Sequence, residues 1–168
     1  MLMIVLRFAH VVSGALWVGM FAFMTFFLMP ALGEAGPDAG KVMAALAKRR
    51  LPVIMPIFAL IAIVSGMWLF QRMSGGNMGA LMATPMGQAF AWGGAVALLA
   101  ILIGMVVMRP AMMRSMKLGE SLASAPADQR ATISAELQRL RARGVLLGKV
   151  VTVMLLFTLA AMAVARYL

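Results

Sequence analysis

The sequence predicts an all-α integral membrane protein, a four-helix bundle with little mass outside the bilayer. Three observations predict it. Of 168 residues, 64% are apolar and 12% charged, with a mean hydropathy of +0.99. A soluble domain of this size holds about 45–50% apolar and about 25% charged residues, and a globule this small has no interior large enough for the excess. Next, four apolar runs each reach the roughly 20 helical residues that cross about 30 Å of hydrocarbon. Finally, the basic residues collect in alternate loops, as topology requires of a multi-pass chain. Disorder is excluded by the same hydrophobicity.

The spans run from about residues 4–29, 51–70, 89–108 and 145–164, within one transmembrane domain covering 1–168. Apolar residues surround each run instead of forming one stripe, as lipid exposure demands. Lipid cannot satisfy free backbone groups, so helices are required. The first run has almost no basic preamble and exceeds the 7–15 apolar residues of a signal peptide, so it reads as a retained span.

Orientation follows from the basic residues. The loops at about 30–50 and 109–144 hold Lys41, Lys48, Arg49, Arg50, Arg109, Arg114, Lys117, Arg130, Arg139, Arg141 and Arg143. The other side holds only Arg7, Arg72 and Arg166. The positive-inside rule then makes those two loops cytoplasmic and puts both termini outside a bacterial-type inner membrane. The net charge of +10 is thereby a topology signal and predicts no nucleic-acid partner. The chain has no Cys, which removes disulfides and thiolate metal sites.

Both basic loops read as partly helical. Ser124 and Pro126 precede Asp128 as a helix start. Ile133, Leu137 and Leu140 recur at i, i+4 and i+7, so the segment either lies on the membrane surface or stands as a solvated charged helix. Pro37-Asp38 opens a similar stretch through Val42 and Leu46 to Lys48-Arg49-Arg50. The two halves also match. Met29-Pro30-Ala31-Leu32 and Arg109-Pro110-Ala111-Met112 close the first and third spans, and each proline reads as a helix exit. This suggests a duplicated two-helix hairpin, with any shared site between the halves.

His10 is the single histidine, about two turns inside the outer end of the first span. Polar groups in a span usually face the bundle interior. Two roles stand open: ligand to a metal or haem, or donor to a backbone carbonyl of another helix. Arg7 lies one turn outward on the same face, where it would pair with a propionate or snorkel to lipid phosphate. Lys149 enters the fourth span from the opposite side. It sits on the order of 15 Å from His10 in depth, too far to share an ion with it, and is expected to snorkel.

The chain has 19 Met. Thioether suits Cu(I), and Met73, Met78, Met82 and Met86 gather around the outer loop on the side of Met1, Met3 and His10. They would form a sulfur-and-imidazole copper site, or serve as adaptable apolar filler. Small-residue pairs at Ala15/Gly19, Ala100/Gly104 and Gly144/Gly148, with a notch at Ser65-Gly66, suit helix contact, within one chain or in a homo-oligomer or larger complex. All five acids fall in loops, which argues against proton coupling through membrane carboxylates. No P-loop, GxSxG or HExxH occurs.

The segment Arg7-Phe8-Ala9-His10-Val11-Val12-Ser13-Gly14-Ala15-Leu16-Trp17-Val18-Gly19-Met20 resembles the first helix of the CopD-like and HemJ-like superfamily of small bacterial membrane proteins. Arg49-Arg50-Leu51-Pro52 leading to Ser65-Gly66 is also similar. Membership implies a four-helix membrane protein with His10, Arg7 and Trp17 as candidate cofactor-binding residues. A CopD-type protein would move copper, with His10 and the outer methionines as ligands. A HemJ-type protein would be a haem-dependent protoporphyrinogen oxidase, with haem b on His10. The chain departs from both in lacking histidines in its later helices. An uncharacterised, non-enzymatic member or an accessory subunit of a membrane complex is the reading closest to the residues.

Overall fold

The computed structural model describes residues 1–36 and 39–168, so the helix start expected at Pro37-Asp38 lies outside the described residues. Among the described residues it is all helix. Helix α1 (Leu2–Phe23) passes through a π-helical turn (Met24–Leu28) into α2 (Met29–Glu34). Helix α3 (Ala39–Lys48) precedes α4 (Leu51–Met73). A short α5 (Met78–Met82) caps the return into α6 (Pro85–Ile103), which continues through a second π-helical turn (Gly104–Met108) into α7 (Arg109–Ser124). Helix α8 (Ala127–Val164) returns the chain and ends in a 3-10 turn (Ala165–Tyr167). Four of these continuous helices are long and apolar enough to cross a membrane.

The bundle is a ring in which α1 packs on α4, α4 on α6, α6 on α8, and α8 back on α1. The closest partnerships are α1 with α4 and α6 with α8, the two hairpins expected of a duplicated unit. Its core is built from Trp17, Val18, Ala59, Ala62, Ala97, Ala100, Val151 and Leu155. Half of these are alanine, because apolar attraction between helices is weak in lipid and close backbone approach must replace it. Ala15 and Gly19 are exposed, and nothing approaches the Cβ positions of Gly19, Gly104 or Gly144, so of the expected packing pairs only Ala100 and Gly148 lie in the contacts that close this bundle. Ser13 and Gly93, which the sequence did not single out, supply close approach beside them.

Neither Pro30 nor Pro110 ends its helix, contrary to the sequence expectation. Each is the second residue after a π-turn of five residues. Proline lacks an N–H and its ring collides with the preceding turn; widening that turn to π geometry lets the helix continue. The turns fall at corresponding places in the two halves, so one backbone solution serves both.

The expected helix start before Asp128 is present, with Pro126 as the cap of α8. The segment after it does not lie flat. Helix α8 is one continuous helix of 38 residues from the loop through the span. Its first part packs antiparallel on α7, with Leu137 buried and Arg114 paired with Glu136 across the hairpin. Ile133, Leu137 and Leu140 thus face α7, and the third and fourth spans extend together beyond the apolar zone.

Candidate functional site

The α1–α4 seam holds the single histidine. His10 is half-buried, and its Nδ1 lies 2.7 Å from the carbonyl oxygen of Ala62 in α4. A carbonyl only accepts, so Nδ1 carries the proton and donates. In the neutral ring the lone pair then resides on Nε2, which makes no hydrogen bond among the described residues. Gly66 makes the arrangement possible. A Cβ there would stand 2.6 Å from His10 Cε1 and 2.9 Å from Nδ1, closer than real side chains come. The notch read at Ser65-Gly66 is therefore the seat of the imidazole ring. Ser65 and Ser13, both buried, bend their hydroxyls back onto carbonyls of their own helices, Ser13 onto Ala9 O and Ser65 onto Ile61 O and, at 3.2 Å, onto Ala62 O, so the Ala62 carbonyl is approached by both Ser65 and the histidine.

The other predicted residues are placed as follows. Trp17 is 5% exposed and belongs to the core beside Ala59 and Ala62, two turns deeper than His10. Arg7 is exposed. Gly14 faces Ala62 while His10 faces Gly66, an antiparallel register that puts buried Leu6 a turn beyond His10 toward the chain termini. Met73 closes α4, Met78 and Met82 begin and end α5, and Met86 lies in the first turn of α6. All four sit at the end of the bundle that carries the termini. Met73 is about 10 Å further along α4 than Gly66, at about 1.5 Å per residue. His10 and the methionines are thus two levels of one end, with Leu6 between them on the seam. Among the described residues no three His, Cys, Asp or Glu side chains converge on a metal-sized site. Lys149 is exposed at the opposite end, as its spacing from His10 required.

The residues around His10 do not fit a haem between α1 and α4. The ring edge rests on Gly66, so the two helices touch at this level and leave no gap of porphyrin width. A single soft cation on Nε2 is compatible with this geometry, because imidazole whose other N–H is held by a carbonyl is the usual form of a ligating histidine.

One polar contact was not read from the sequence. Thr152, fully buried in α8, hydrogen-bonds Thr25 in the first π-turn at 2.9 Å and its own Gly148 O at 2.7 Å. Threonine in a span gives only a weak signal, since it so often bonds its own helix. Gly148, whose Cβ position lies 3.6 Å from Thr25 Oγ1, was the legible half of the contact. That contact ties the two hairpins together; within the α6–α8 hairpin, Thr158 donates to Gly93 O at 3.1 Å.

Comparison with protein-family models, with curated proteins and with solved structures found no match to this chain. What the fold and composition establish is a multi-pass, all-α membrane protein.

Proposed function

We propose that this is a CopD-like, non-enzymatic protein of a bacterial-type inner membrane, both termini outside, that handles Cu(I) through His10. The observation that carries the reading is the Nδ1–H bond to Ala62 O, which fixes the ring and leaves Nε2 as a base. Met73, Met78, Met82 and Met86 supply soft sulfur donors at the outer mouth, and His10 forms a deeper station. The net basic charge of the opposite loops supports the orientation. A HemJ-like oxidase is disfavoured because α1 and α4 are in contact at His10.

The test is titration of the protein in mild detergent with Cu(I), or with Ag(I) as its redox-inert stand-in. Tight binding of one ion that is lost in His10→Ala, and weakened when Met78, Met82 and Met86 are changed together to Leu, is the expected result. A protein that takes up neither ion overturns the copper reading. The second reading, an accessory subunit in which His10 only locks two helices, is favoured by the Gly66 seat. It predicts that His10→Ala lowers thermal stability while metal has no effect on any variant.

A further inference from the structure

At the loop end of the bundle, one backbone conformation is out of keeping with its residue. Four described residues have positive φ. Three are glycines, Gly36, Gly75 and Gly76; the fourth is Arg50, at φ 57° and ψ 23°. Left-handed backbone disfavours any side chain with a Cβ, and Gly is its ordinary occupant. Strained conformations persist where the surrounding structure over-determines them, and they cluster at functional sites. Among the described residues, the side chains of Lys48, Arg49 and Arg50 make no ion pair or hydrogen bond, so no internal contact accounts for an arginine at this position.

The turn itself is rigid. Arg50 N–H donates to Ala47 O at 2.9 Å, and Arg50 O accepts from Val53 and Ile54 N–H, each at 2.9 Å. Only Arg49 and Arg50 separate α3 from α4. Since α4 enters the apolar zone at Leu51-Pro52, connectivity holds α3 at the level of the lipid headgroups. Helix α3 buries none of its residues fully: on its apolar side Val42 is exposed and Met43 and Leu46 are half-buried. Val42, Met43 and Leu46 lie on one side of it, at i, i+1 and i+4, with Lys48 and the two arginines at its end. An amphipathic helix at that depth, ending in clustered cations, matches an acyl boundary beneath anionic phosphate.

We infer that α3 and the Lys48-Arg49-Arg50 turn form a binding surface for anionic lipid headgroups, with Arg50 kept in a strained conformation to aim its guanidinium at the phosphate. The occupant is lipid and not free phosphate, because the apolar side of α3 and its tether to a span both place it in the bilayer surface. Topology alone does not require an arginine at the strained position, since Lys48 and Arg49 already mark the side.

The experiment uses the full chain in mixed phosphatidylglycerol–phosphatidylcholine nanodiscs, with retained lipid counted by native mass spectrometry and thermal stability measured in lipid-free detergent. A cation near an anionic surface contributes about 1 kcal/mol, or about fivefold. Arg50→Gly should therefore raise the melting temperature in detergent by relieving strain while cutting phosphatidylglycerol preference about fivefold. Joint change of Lys48 and Arg49 to Gln should cut it further, without the stabilisation. If Arg50→Gly keeps the wild-type lipid preference, the inference fails. It also fails if Arg50→Gly melts lower in detergent, which would make the arginine a structural residue.

Discussion

At the scale of single residues, the feature that organises the first hairpin is a pairing of His10 with a missing side chain. Imidazole is large and polar, and it reaches the carbonyl of Ala62 only because Gly66 has nothing to put in its way. Gly66→Ala is therefore expected to be costly. The new methyl must displace the ring from Ala62 O or separate α1 from α4, an overpacking cost of about 1–3 kcal/mol. Thermal unfolding in detergent should show a lowered midpoint for this variant, with imidazole still present. An unchanged midpoint would mean the ring swings away freely and does not lock the seam. His10 and the Ser65-Gly66 notch were each legible in the sequence. Their meeting was not, because it depends on the register between two helices separated by more than fifty residues.

At the scale of elements, two devices shape the chain. The π-turns carry α1 and α6 through Pro30 and Pro110, converting expected exits into continuations. The α7–α8 hairpin extends the second pair of spans as a stalk. Its narrow seam is filled by Leu137, 5% exposed, with Arg114 and Glu136 paired at its edge. That ion pair is well exposed, so it should contribute little, whereas truncating a buried leucine typically costs about 2–5 kcal/mol. Leu137→Ala should open the stalk locally. Limited proteolysis should then cut within 109–144 faster than in the native protein, with the α1–α4 hairpin protected as before. Equal cleavage rates would show that the stalk is held by something other than this seam. The periodicity of Ile133, Leu137 and Leu140 was visible in the sequence; its partner was not, since an apolar stripe fits lipid or a second helix equally well.

At the scale of the whole molecule, large apolar side chains such as Ile4, Phe8, Val64, Val106, Leu146 and Val153 point outward, while the contacts inside set alanine, glycine, serine and threonine around a few large side chains such as Trp17, Val151 and Leu155. This arrangement suits a solvent of acyl chains, where burying a large apolar group in protein gains little over leaving it in lipid. The chain has no native cysteine, so its topology can be read directly with single substitutions. Ser74→Cys, at the end with the termini, should react with a membrane-impermeant maleimide in intact cells. Ser121→Cys, in the stalk, should react only after permeabilisation. The reverse pattern would invert the orientation assigned from the basic loops and would place the α3 surface on the opposite leaflet.

The sequence by itself determined the solvent, the number of spans and the likeness of the two halves. These follow from composition, run length and local spacing, which need no knowledge of what packs on what. It also singled out His10 and Gly148 as residues needing a partner. Tertiary structure alone decided that His10 bonds Ala62 over Gly66, that Thr25 meets Thr152, that the prolines are bridged by π-turns, and that Arg50 adopts left-handed backbone. Each of these depends on the relative register of helices distant in the chain or on the local response of a backbone turn. Neither is encoded in hydrophobic periodicity when nearly every residue of a span is apolar.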